Sequence, residues 1–195
     1  MTNQDILQYV KTTFKDHETR LNHILGVRET ALKLGKKHHA DLTKLETAAL
    51  LHDISKYNSY EKNVEMIRNY FPNHQEILKE FDKPILHSFT AYIVAKEEFG
   101  ITDPDILNAI LYHTVGKADM NIYEKIIFIS DYIEPNRTYA SCIKVRALAE
   151  ESLDIAVYSA IDDTIKFHEG LHGVISKQAY NARQFYQRLL EVNHG

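Results

Sequence analysis

The chain is short of the two residues that punctuate a backbone, with 7 glycines and 4 prolines in 195 residues. That is about 6%, half the usual share of roughly 12%. Gly and Pro supply most tight turns, so a chain this poor in them has few turns and long elements between them. Many short strands joined by hairpins are disfavoured on that ground, and long helices are favoured. Periodicity agrees: apolar residues recur at three- and four-residue steps through Ile6, Leu7, Val10 and Phe14, and again through Leu21, Ile24, Val27, Ala31 and Leu34.

The same spacing predicts helices over about 3–14, 20–38, 43–55, 61–71, 73–81, 84–98, 104–113, 119–133, 142–168 and 176–192. Thr43 with Glu46 three residues later reads as a capping box. Pro84 and Pro104 suit first helical turns, and Gly100 closes the helix between them. The β-branched run within 119–133 also permits a strand, but its neighbours are helical. Phe185, Tyr186 and Leu189 on the last helix are either core or a homodimer face. No repeat or linker divides the chain, so 1–195 reads as one all-α domain, a bundle of about eight to ten helices.

The 23 basic and 27 acidic side chains give a net charge of −4. No basic face for DNA or RNA follows from that balance. No apolar run approaches the ~18 residues of a membrane span. Met1–Val10 carries Asp5 and no basic cluster, which is not a signal-peptide pattern. A single cysteine, Cys142, excludes an internal disulfide and fits a reducing cytoplasm. No fixed base stands beside it, so it reads as a packing residue.

Histidine is in excess, at 11. His17, His38, His39 and His74 lie in polar stretches and read as surface. His23, His52, His87 and His113 instead interrupt apolar patterns, each in a different helix. One such histidine is usually a satisfied core residue; four make a pattern. Asp53 and Asp131 join them, the latter inside the apolar run 126–133. A buried ionised carboxylate needs a cation or hydrogen bonds. Imidazole and carboxylate together suit iron, manganese or zinc with open positions.

The neighbours add weight. Arg20 and His23 share a helix face, and Lys56 follows the His52-Asp53 pair by one turn. Thr114, Gly116 and Lys117 follow His113, putting hydroxyl and amine groups near the imidazole. In Ser130-Asp131-x-x-Glu134-Pro135-x-Arg137 a guanidinium follows the carboxylate, a natural fork for phosphate. A rival motif is His168-Glu169-Gly170-Leu171-His172, which matches the zinc-protease pattern H-E-x-x-H. Chance gives about 0.05 such matches here, against about 0.7 for a His-Asp pair, so on counts alone it is the stronger signal. Its physics is poor: that chemistry needs both imidazoles on one helix with the glutamate as base, and Gly170 weakens helix there. No third ligand follows, His194 being next to the terminus. A helix end with exposed imidazoles, or a substrate edge, fits better.

The ordered set His23, His52-Asp53, His87, His113 and Asp131 resembles the HD-domain metal phosphohydrolase superfamily. The fuller pattern over about 20–137 resembles one branch, the YqeK-type symmetrical bis(5′-nucleosyl)-tetraphosphatases. The segment from Ser130 to Arg137 narrows the choice. The resemblance implies a helical HD-domain bundle with His23, His52, Asp53 and Asp131 as ligands of iron, manganese or another divalent metal being the alternative. It places His87 and His113 at phosphate contacts or at a second metal, and Thr114 and Arg137 on phosphate oxygens. Lys56 would supply fixed charge to the reaction, and Asp53 would also orient water. His23 and Asp131 would border the substrate as well. In the tail, Lys177 and Arg183 are candidates for nucleotide contact.

The implied reaction is cleavage of diadenosine tetraphosphate at its middle to two ADP. A guanosine alarmone, a cyclic nucleotide and a nucleoside monophosphate are the other substrates of that chemistry. A non-catalytic nucleotide or metal sensor is the reading from a different class, and it would be marked by loss of a ligand. None is lost here.

Overall fold

The computed structural model describes residues 1–193; His194 lies outside them. The chain begins with α1 (Asn3–Thr13), opened by reciprocal hydrogen bonds between Thr2 and Asp5, and α2 (Glu18–Lys37). Next come α3 (Leu42–Leu51), α4 (Tyr60–Tyr70) and α5 (His74–Glu80). A short 3₁₀ turn at Lys83–Ile85 takes Pro84 and leads into α6 (Leu86–Glu97). Asp103 caps α7 (Pro104–Leu111), and Asn121 with Glu124 forms the capping box of α8 (Ile122–Ile133), which is helix despite its β-branched content. The chain continues through α9 (Ala140–Glu151), α10 (Leu153–Gly170) and α11 (Lys177–Asn193). Among the described residues there are eleven α-helices and no strand.

Two local expectations are corrected. The capping box at Thr43 and Glu46 does not form. Asp41 takes the N-cap instead, accepting from the Thr43 and Lys44 amides, while Arg28 and Asn3 bind the Glu46 carboxylate. The stretch 142–168 is not one helix. Ser152 is extended (φ −152°, ψ 130°), ends α9 and caps α10 through the Ile155 amide, and Asp154 adds a favourable charge to the new first turn.

Helix α2 packs across α3 and α8, α7 packs on α3, α6 and α8, and α10 packs on α8, α9 and α11. Their shared core includes Ile24, Val27, Leu45, Leu50, Ile110, Ile126 and Ile127, all fully buried. Each such side chain contributes about 1.5–3 kcal/mol on leaving water. Apolar packing thus fixes the helices that carry His23, His52, His113 and Asp131, while α6 carries His87. Cys142 is buried in α9, His17 and His39 are exposed, and His38 and His74 are half-buried. Among the described residues no helix is long and apolar enough to cross a membrane.

Tyr186 of α11 belongs to the core. It is fully buried, its hydroxyl accepts a hydrogen bond from the Met120 amide at 3.0 Å, and Phe185 and Leu189 pack half-buried beside it. Tyr186→Phe strands that buried amide, so urea unfolding should show a loss of about 1–3 kcal/mol.

Candidate metal centre

Four imidazoles converge because each sits where a helix begins, ends or turns past another. His23 is on α2; His52 and His113 directly follow or closely follow the ends of α3 and α7; His87 is in the first turn of α6. His52 Nδ1 lies 2.7 Å from the Ala49 carbonyl, His113 Nδ1 2.7 Å from that of Ile110, and His87 Nδ1 2.6 Å from that of Pro84. In each case the partner is three residues back. A carbonyl only accepts, so each of these Nδ1 atoms carries the proton and donates it. His23 Nδ1 makes the same choice against the Glu134 carboxylate at 3.3 Å. All four rings therefore turn Nε2 inward, where a metal would take its lone pair.

Those nitrogens meet two carboxylates. His23 Nε2 is 3.0 Å from Asp131 Oδ1, 3.5 Å from Asp53 Oδ2 and 3.4 Å from His52 Nε2. His52 Nε2 is 3.6 Å from Asp53 Oδ2 and 4.0 Å from Asp131 Oδ1. The other oxygen of Asp53 faces the second pair of rings, with His87 Nε2 at 3.0 Å and His113 Nε2 at 3.7 Å. These two nitrogens are 3.2 Å apart, and Lys56 Nζ is 3.3 Å from that of His87. His52, Asp53, His87 and His113 are at most 3% exposed.

Protonation suits this geometry. Burial pushes His52 down to about 3, against the field of Asp53. Burial likewise lowers His87 and Lys56. For the carboxylates burial pulls upward, but imidazoles outweigh it at Asp53, His52 first, and at Asp131 His23 and then Arg137 do so. Both stay well below the usual carboxylate range. Imidazoles that turn Nε2 inward beside ionised carboxylates are what a divalent first-row ion requires of its ligands. Donor atoms 3–4 Å from one another also match bonds of about 2.0–2.2 Å to one centre. The residues present fit a metal.

Positive charge surrounds the donors. Arg20 pairs with Asp53 Oδ2, and Arg137 Nη2 lies 3.0 Å from Asp131 Oδ1. Thr114 is half-buried and lines a separate cavity of about 160 Å³ walled by Val115, Phe128, Ile161 and Ile165. Two of the candidates are elsewhere. Lys177 is exposed at the start of α11, and Arg183 pairs with Asp162 at 3.6 Å over the Tyr180 ring. The H-E-x-x-H stretch is split by the end of α10: His168 is in its last turn and lines the same cavity, while His172 lies beyond it with a left-handed φ of 53°.

Two supporting residues had no role assigned from the sequence. Glu134, 2% exposed, orients His23 and accepts from the Asn136 amide at 2.8 Å. It comes this close because position 26 is glycine: a Cβ there would sit 2.5 Å from Glu134 Oε2. Arg146 of α9 gathers three carbonyls, Ile133 at 2.7 Å, Glu134 at 3.1 Å and Arg137 at 3.1 Å. It thereby ends α8 and sets the loop that holds both Glu134 and Arg137. The motif 130–137 contains Glu134, but its partner is 111 residues away. Arg146 acts on backbone atoms, which no motif displays.

The HD-domain family model matches residues 20–136, and the chain belongs to that family. It is 41% identical over 161 residues, 83% of this chain and 84% of the relative, to the symmetrical bis(5′-nucleosyl)-tetraphosphatase of Halalkalibacterium halodurans. Identity to the Bacillus subtilis protein of the same name is 36% over 168 residues, 86% of this chain and 88% of that one. A Clostridium acetobutylicum crystal structure, described as a predicted HD superfamily hydrolase involved in NAD metabolism, superposes with a TM-score of 0.88 at 34% identity. The match covers 96% of this chain and 98% of that one.

Glu134→Gln keeps an acceptor but removes the charge behind His23. Metal affinity, read by competition with a chromogenic chelator, should weaken about 10–100-fold while helicity is retained.

Proposed function

We propose that the protein is a metal-dependent hydrolase that cleaves diadenosine tetraphosphate at its middle anhydride to give two ADP. The observation that carries the metal chemistry is the set of inward Nε2 atoms, each fixed by an acceptor behind its ring, around Asp53 and Asp131. The substrate and the symmetry of cleavage rest on the names of the relatives, which cover most of this chain. We assign His23, His52, Asp53 and Asp131 as ligands, iron as the metal and manganese as its alternative. The single buried cysteine suits a reducing cytoplasm.

When bound, such a metal supplies Lewis acidity to phosphoryl oxygens and makes water a competent nucleophile at neutral pH. The chain's residues do the rest. Glu134 and the Ala49 carbonyl stand behind Nδ1 of His23 and His52 and orient both rings, and burial keeps His52 neutral. Asp53 spans both halves of the site and can accept a hydrogen bond from the attacking water. Lys56 and Arg137 flank the donors at Asp53 and Asp131 and meet the negative charge that spreads over phosphorus oxygens. The cavity beside Thr114 is apolar and of a size for one base. We assign Thr114, which lines that cavity next to His113 in the chain, to a phosphate oxygen.

His87 and His113 face phosphate in this reading, with Lys56 beside them. Their convergence on Asp53 Oδ1 also favours a second cation there. Metal stoichiometry decides: one ion per chain supports phosphate contact, and two support the dinuclear form.

Iron- or manganese-loaded protein should release ADP alone from diadenosine tetraphosphate, as resolved by anion-exchange chromatography. ATP with AMP would refute the symmetrical assignment. Chelation should remove activity and added metal restore it. His52→Ala and Asp53→Ala should each retain little metal and turn over at background rate; wild-type metal content and rate in either would misplace the site.

A further inference from the structure

A middle-cleaving enzyme must hold two nucleoside diphosphate halves, one on each side of the broken bond. The cavity beside Thr114, about 160 Å³, has room for one base. A second depression lies across Thr164, which lines both: an open groove of about 780 Å³ between the C-terminal end of α8, the start of α9 and the last turns of α10.

The groove begins at the metal donors. Arg137 lines it, and the Asp131 oxygen that Arg137 meets at 3.0 Å is the one 3.0 Å from His23 Nε2. Tyr139 from the start of α9 and Phe167 from α10 contribute its aromatic surface, and they are 73% and 64% exposed. Scattered exposed aromatics are ordinary. Two on separate elements of one groove, with the Arg137 guanidinium at its end, make a surface suited to an uncharged planar ring joined to phosphates. Lys166, paired with Asp162 at 2.7 Å, also lines it, and the acid in the groove, Asp163, is bound by Lys144 at 2.9 Å, so no unpaired carboxylate faces a phosphate there.

We propose that this groove is the binding site for the second nucleoside diphosphate half of the substrate, its base stacked on Tyr139 and Phe167 and its phosphates against Arg137. The proposal rests on the dinucleotide reading above. The two halves would then occupy unlike surroundings, one base enclosed and the other open to solvent, so the product in the groove would be the first to leave.

The test uses the manganese-loaded enzyme and the double variant Tyr139→Ala/Phe167→Ala, whose side chains are exposed and carry little of the fold. The KM for diadenosine tetraphosphate should rise about tenfold or more with loss of stacking. Calorimetric titration with ADP should find two sites per chain in the wild type and one in the variant. If the wild type cleaves the dinucleotide but the variant keeps its KM and both ADP sites, the groove assignment is overturned while the activity stands. If the wild type does not cleave the dinucleotide, the activity reading fails instead. A variant that only shifts sedimentation from dimer to monomer, with KM and ADP sites intact, also overturns the proposal and makes this face a contact between copies.

Discussion

An ionised carboxylate with almost no solvent contact costs several kcal/mol unless cations and N–H groups replace its water. Asp53, 2% exposed, is in that position. Its answer comes from cations on two elements, Arg20 from α2 and Lys56 from its own turn, while imidazoles from α2, α6 and the ends of α3 and α7 face it across the space a metal would fill. None of these groups is near Asp53 in sequence except Lys56 and His52. The apolar core fixes how the helices approach one another, and satisfying this one buried charge depends on that approach.

The rings show how little freedom that leaves. Three of the four histidines bind the carbonyl three residues back, at places where a helix or 3₁₀ turn begins or ends and carbonyls lack helical partners. The fourth uses Glu134, which reaches His23 past a glycine and is held by a loop clamped from Arg146. Orientation is therefore built into backbone geometry on three sides and borrowed from a distant carboxylate on the fourth. The borrowed side is the one most open to disturbance by substitution.

Much of this was legible. Scarcity of Gly and Pro gave the helical class, and histidines placed against an apolar pattern stood out because a neutral core prefers leucine there. Asp131 stood out in the same way. Apolar spacing runs straight through Ser152 and hides the break there, while one extended residue suffices to start a new helix. The cap on α3 was misread by two residues because Thr43 and Asp41 are both good caps, and Arg28 draws Glu46 away from the box. Glu134 and Arg146 could not be read, since the contacts that define them join residues far apart or reach backbone oxygens.

The donors of the first cluster come from positions 23, 52, 53 and 131, on three elements far apart in the chain. An ion gripped there closes loops of about 30 and 80 residues, as a covalent cross-link would. The chain has one cysteine and cannot make a disulfide. Stability of the whole bundle should accordingly rise with the logarithm of free metal concentration, because the ion binds the folded arrangement and the unfolded chain has no such arrangement to offer. A metal held by these donors would in that sense also be the protein's staple.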